Sequence, residues 1–156
     1  MKTVFLKGLK MIDINRGNHI FGVARKAKDL ALKLKPNDEK YAEDMFLLGF
    51  LHDIGYEFTE NNTNHSHIGG EILKRANYNY WKEVSLHGDA GVENMSDELF
   101  LLNYADMTTG PNGESFSFEE RLVDIANRFG KESAAYKKCV IVVEKLKSDK
   151  RNISIR

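Results

Sequence analysis

The sequence predicts an all-α chain, a bundle of six or seven helices, and three observations carry that expectation. Proline, which breaks helix interiors, occurs only twice, at Pro36 and Pro111. Apolar residues recur at spacings of three and four along much of the chain, the period of a helix face. Alternating β-branched runs, the mark of strands, are few.

The first helix is expected over residues 19–35, where Val23, Ala27, Leu30 and Leu34 share a face and Pro36 ends it. A second starts near Asn37 or Asp38, both good capping residues, and carries Met45, Leu48 and His52 on its inward stripe. Gly55 marks its exit, and the polar, asparagine-rich residues 57–64 read as a loop. A third helix is expected over 66–76 and a short one over 80–87, ending at Gly88, with 89–94 as a connection. Ser96 caps a further helix that opens with Asp97 and Glu98, acids suited to a helix N-terminus, and places Leu99, Leu102 and Asp106 on one face. Residues 108–115 hold Gly110-Pro111-Asn112-Gly113 and form a loop that could serve as a lid. Ser117 and Glu120 have capping-box spacing for a helix ending near Gly130. A last helix spans about 131–147 and leads into a polar tail.

The totals suit one domain over 1–156, with a core at about 16–130. Hydrophobic residues make up 42% and charged residues 29%, an ordinary globular balance rather than a disordered one. Basic and acidic residues number 23 each, so no overall field favours nucleic acid or an anionic membrane. Phosphate binding would have to come from local geometry or a metal. The single cysteine, Cys139, excludes an intrachain disulfide and reads as a small core residue, which fits a cytoplasmic setting. Lys2, Lys7 and Lys10 interrupt the N-terminal apolar groups, unlike a secretory signal, and no stretch is long and apolar enough to span a membrane.

The chemistry-bearing residues are the five histidines and a few aspartates. His52 and Asp53 are adjacent at the end of a buried helix, where an imidazole and a carboxylate can meet one divalent ion. His19 opens the first helix. Asp106 continues the apolar stripe of Leu99 and Leu102, a costly place for a charge unless it is paired or bound to metal. Each feature alone is commonplace. The ordered set His19, His52-Asp53, Asp106, carried on three different helices, is more specific.

Asn18-His19, Leu51-His52-Asp53-Ile54-Gly55 and Tyr104-Ala105-Asp106 together resemble the HD superfamily of metal-dependent phosphohydrolases, over about residues 16–107. The resemblance implies an HD-domain-like all-α fold with His19, His52, Asp53 and Asp106 binding one ion. His67 and His87 fall between the pair and the last aspartate, as in HD branches with two ions. That likeness implies that Asp53 bridges and that His67 and His87 hold the second ion. His65, placed in the loop, is the weakest ligand candidate. The set fits one ion or two, and suits manganese, iron, cobalt, nickel or zinc better than magnesium.

The resemblance also implies the reaction, hydrolysis of a phosphate ester or anhydride of a nucleotide or small phosphorylated metabolite by metal-activated water, with Asp53 bridging or orienting that water. Arg16, three residues before His19, and Arg121 are the candidate substrate-binding cations, ahead of Lys74, Arg75 and Arg128. Tyr56, Phe58, Tyr78, Tyr80 and Trp81 offer either core packing or a wall for a nucleobase. The competing readings are an HD-fold di-iron oxygenase and a non-catalytic nucleotide-binding sensor module.

Overall fold

The structure is a computed structural model that describes residues 14–59 and 64–156. The stretch holding Lys2, Lys7 and Lys10, and the middle of the expected asparagine-rich loop, lie outside the described residues. Among the described residues eight α-helices, one more than the six or seven expected, follow one another: α1 (Ile14–Leu34), α2 (Glu39–Leu51), α3 (His65–Arg75), α4 (Trp81–Leu86), α5 (Asp97–Met107), α6 (Phe118–Phe129), α7 (Ala134–Ser148) and α8 (Asn152–Ile155). A 3₁₀ turn, Ile54–Phe58, links α2 to the loop before α3. No strand occurs among the described residues, and none of their helices is long and apolar enough to cross a membrane. The chain is all-α, as expected.

Capping chemistry sets most of the boundaries. Asp38, Ser96, Ser117 and Ser133 each accept a hydrogen bond from the backbone N–H three residues on, satisfying an orphan donor of α2, α5, α6 or α7. Ser117 and Glu120 complete the expected capping box. Asn37, Asn64 and Asn77 take left-handed backbone, which asparagine tolerates better than most residues. Asn37 and Asn77 follow helices; Asn64 precedes α3, so α3 begins at His65, a residue earlier than expected. The last helix starts at Ala134 instead of 131, because Ser133 caps it after a turn from Gly130. Within the expected polar tail, α8 forms and buries Asn152 and Ile155.

The core lies around α5. Leu99, Phe100, Leu101, Leu102 and Ala105 are all buried there, so this helix is apolar around most of its circumference, as a central helix must be. Val23, Ala27 and Ala31 from α1, Met45 and Leu48 from α2, Val84 from α4, and Val142 and Leu146 from α7 close around it. α1 and α2 cross where a Cβ on Gly49 would lie 2.7 Å from Ala24 Cα, so small residues set their separation. Tyr78, Tyr80, Trp81 and Cys139 pack against this core, and burial pushes the Cys139 thiol up. Buried Asn103 on α5 accepts from Gly88 N–H at 2.9 Å, and Lys145 donates to the carbonyls of Ala90 and Val92. These bonds hold the connection after α4, and with it the end of α4, in place.

Candidate metal centre

Five elements end at, or turn past, one point. α1 contributes His19, buried, with Nε2 3.1 Å from Asp106 Oδ1. His52 caps the C-terminus of α2, is fully buried, and holds Nε2 3.2 Å from Asp53 Oδ2 and 3.6 Å from Asp106 Oδ1. His87 caps α4, with Nε2 3.4 Å from Asp53 Oδ1. His65 begins α3, with Nε2 3.3 Å from the same Asp53 oxygen. Asp106 comes from the last turn of α5.

Asp53 is divided between two sets of imidazoles. Its Oδ2 faces His52 at 3.2 Å and His19 at 3.8 Å; its Oδ1 faces His65 at 3.3 Å and His87 at 3.4 Å. Two groups of three residues, His19 with His52 and Asp106, and His52 with Asp53 and His87, bring their ligand atoms within 4.8 Å of one another.

The imidazoles are oriented by backbone acceptors. Nδ1–H of His19 donates to Gly110 O at 2.9 Å, that of His52 to Gly49 O at 2.6 Å, and that of His87 to Val84 O at 2.6 Å. Each bond leaves Nε2 as the inward lone pair, the arrangement of metal-ligating histidines. His52 Nε2 is buried with no well-formed hydrogen bond. Lone pairs of nitrogen and ionised oxygen facing each other at these distances repel unless a cation sits among them. The donor set therefore fits a divalent ion.

A proton is the alternative cation, and electrostatics place it. Burial opposes charge on His52, but Asp53 and Asp106 outweigh it and hold the imidazolium well above the usual range near 6.5. Burial likewise opposes ionisation of Asp53 and Asp106, yet His52 with His65 and His87, and His19 with His52, hold those carboxyls well below theirs. An ion held by His52 Nε2 would take the place of that proton. Above the ordinary histidine value and below the raised one, metal affinity is expected to fall about tenfold per unit drop in pH. Titration calorimetry in two buffers of different protonation enthalpy checks this. About one proton released is the expected result, and equal heats in both buffers would show that none was there.

His67, expected to hold a second ion, is exposed. It lies two residues beyond His65 on α3, about 200° round the axis, and so faces away from the cluster. The helix starts at His65: Asn64, in left-handed backbone and without a side-chain cap bond, accepts from Ile68 N–H at 2.9 Å, which puts His65 on the inner face of α3. The sequence held one signal for it, a glycine in register with His65. His65 shares a face with Gly69, four residues on, and that face meets the turn after His52-Asp53 so closely that a Cβ on Gly69 would lie 3.1 Å from Gly55 N.

Two cations stand nearby. The Arg16 guanidinium lies over the Tyr56 ring at 4.3 Å, and Tyr56 stacks on His65 at 4.0 Å and 12°. Arg16 Nη1 also reaches Glu57 Oε1 at 3.5 Å. Arg121 of α6 is 9% exposed and sets Nη2 3.7 Å from Asp106 Oδ1. Its Nη1 donates to Asp124, which Arg128 also binds, while its Nε is buried without a partner. Lys74 lies over Trp81 instead. Of the five aromatic residues singled out, Tyr56 stands at the centre, and Phe58 is exposed.

Loop 108–116 is pinned rather than lid-like. Thr109 bridges Ser115, Gly110 N–H donates to Glu114 O, and Thr109 is almost fully buried. A cleft of about 490 Å³ lined by Lys26, Lys33, Tyr104 and Phe116 lies behind this loop, and none of the clustered histidines or aspartates lines it.

A family model described as HD domain matches residues 16–131. No curated protein and no solved structure matches the chain.

Proposed function

We propose, of a chain that belongs to the HD domain family, that it hydrolyses a phosphate ester or anhydride of a nucleotide or small phosphorylated metabolite, using two divalent ions bridged by Asp53. HD domains are metal-binding hydrolases as a family, and the histidine–aspartate groups here could hold a metal. The observation that carries the two-ion reading is the division of Asp53, one oxygen toward His19 and His52 and the other toward His65 and His87. The first ion would take His19, His52, Asp106 and Asp53. The second would take His65, His87 and Asp53, with His65 in the role that the family resemblance implied for His67.

When bound, such ions lower the pKa of water and neutralise charge on phosphate oxygens. The protein residues do the rest. Asp53 holds the two sets of imidazoles at a fixed spacing. The Nδ1–H bonds keep three rings from rotating, so the ligand lone pairs cost no reorganisation. Arg121 offers a buried guanidinium beside Asp106, where low local dielectric strengthens its attraction to a phosphate oxygen. Arg16 approaches the His65 side across Tyr56, placing a second cation for an extended or second phosphate.

The test is elemental analysis of protein purified without chelator, followed by turnover on a panel of phosphate esters and anhydrides. The expected result is close to two equivalents of a transition metal and turnover of at least one nucleotide-type substrate. Iron with no turnover would favour the oxygenase reading, and metal with neither activity would favour a sensor. His65→Ala is expected to drop the content to about one equivalent and turnover by about a hundredfold or more, while His67→Ala leaves both unchanged. The opposite pattern would restore His67 as the ligand and remove the two-ion arrangement proposed here.

A further inference from the structure

His19, Gly22 and Lys26 follow one another on α1 at spacings of three and four, so they form a single stripe, and His19 and Lys26 stand nearly two turns apart on one face. All three meet loop 108–116. His19 Nδ1–H donates to Gly110 O at the loop's tip. At Gly22 a Cβ would come within 2.8 Å of Thr109 Cγ2 and 3.1 Å of Gly113 Cα, so the loop lies flat against the helix only because that position is bare. Lys26 Nζ donates to Thr108 O at 2.6 Å on one limb of the loop and to Ser115 Oγ at 2.9 Å on the other. Those limbs also bond each other, Phe116 N–H to Thr108 O at 2.9 Å.

We infer that Lys26 is a positioning residue for the metal centre: by clasping both limbs of the loop to α1 it fixes the Gly110 carbonyl, and through it the ring of His19. The ammonium is half-buried, and burial pushes its pKa down, so its charge is kept there at a desolvation cost that the two acceptors offset. The clasp is built from atoms on both sides of Gly110, whereas one bond to either limb would let the tip pivot. A shifted Gly110 O would turn the His19 lone pair away from Asp106 and weaken ion binding without touching a ligand.

This role rests on the reading of His19 as an ion ligand, and not on hydrolysis. The experiment is a calorimetric titration of metal-free protein with Mn²⁺ alone, beside deuterium exchange at the Gly110 and Phe116 amides. Lys26→Met is expected to weaken Mn²⁺ binding about tenfold and to speed exchange at both amides. Lys33→Met, exposed on the same helix, is expected to change neither. Gly22→Ala, which pushes the loop off α1 with Lys26 intact, is expected to reproduce the loss and decides the matter if Lys26→Met does not fold. Full Mn²⁺ affinity in a folded Lys26→Met protein overturns the inference. Wild-type protein that takes up no Mn²⁺ overturns the metal reading itself, and the exchange rates alone then judge the clasp.

Discussion

Asp53→Ala is expected to leave a folded protein that retains neither ion and turns over phosphate esters at less than about one percent of the wild-type rate. The magnitude follows from position. Groups that only orient a ligand already contribute about 10- to 100-fold to affinity or activity. Asp53 lies within 3.8 Å of four imidazole nitrogens through two different oxygens, so its loss removes a donor from both proposed ion positions. It also removes one of two carboxylates in a cluster otherwise built of imidazoles, leaving too little negative charge to hold two dications. The scaffold tolerates the change better than the chemistry does. Breaking a buried ion pair costs about 3–5 kcal/mol where the remaining charge is trapped, but His52 can release its proton, which lowers that cost. Metal content by elemental analysis, turnover, and far-ultraviolet circular dichroism on one preparation separate these effects. Retention of full activity would remove the site assignment altogether.

Gly55→Ala is expected to be the most damaging substitution outside the ligands. An added Cβ would sit 1.8 Å from His65 O, 2.7 Å from His65 C and 2.9 Å from Gly69 N. All three are backbone atoms at the start of α3, so no rotamer change relieves the clash. The helix must move by more than an ångström, and forced overpacking of this kind costs about 1–3 kcal/mol or more. At roughly 3 kcal/mol the melting temperature of a chain this size falls by about 6–12 °C. The displacement falls on His65, so the second ion should be lost before the first. Calorimetric melting together with metal stoichiometry reads both effects. Melting within about 2 °C of wild type with two ions retained would show that α3 and the 3₁₀ turn are not locked together here. The same contact gives a physical reason for glycine at the end of His52-Asp53-Ile54-Gly55. The turn that presents Asp53 must lie directly against the helix that presents His65.

Much of this was legible in the sequence because it is local. Apolar period, capping residues and two prolines determine where helices start and stop, and the capping box at Ser117 and Glu120 is a property of four consecutive residues. His52-Asp53 reads as a site because adjacency guarantees proximity, and His19 and Asp106 read with it through their order and the helices that carry them. Arg121 was legible in the sequence only as a candidate substrate-binding cation, and its burial beside Asp106 is a product of how α6 packs.

What the tertiary structure decided is which side of each helix faces the histidine–aspartate cluster. His65 and His67 stand about 200° apart around α3, so the order of histidines along the chain could not choose between them. Packing of Gly55 and Gly69 chose His65. The loop at 108–116 likewise carries the composition of a hinge, but its freedom is removed by His19 and Lys26, residues more than eighty positions earlier. Short-range chemistry is written along the chain. Orientation around a shared centre is not, because it depends on contacts between segments that only the folded state brings together.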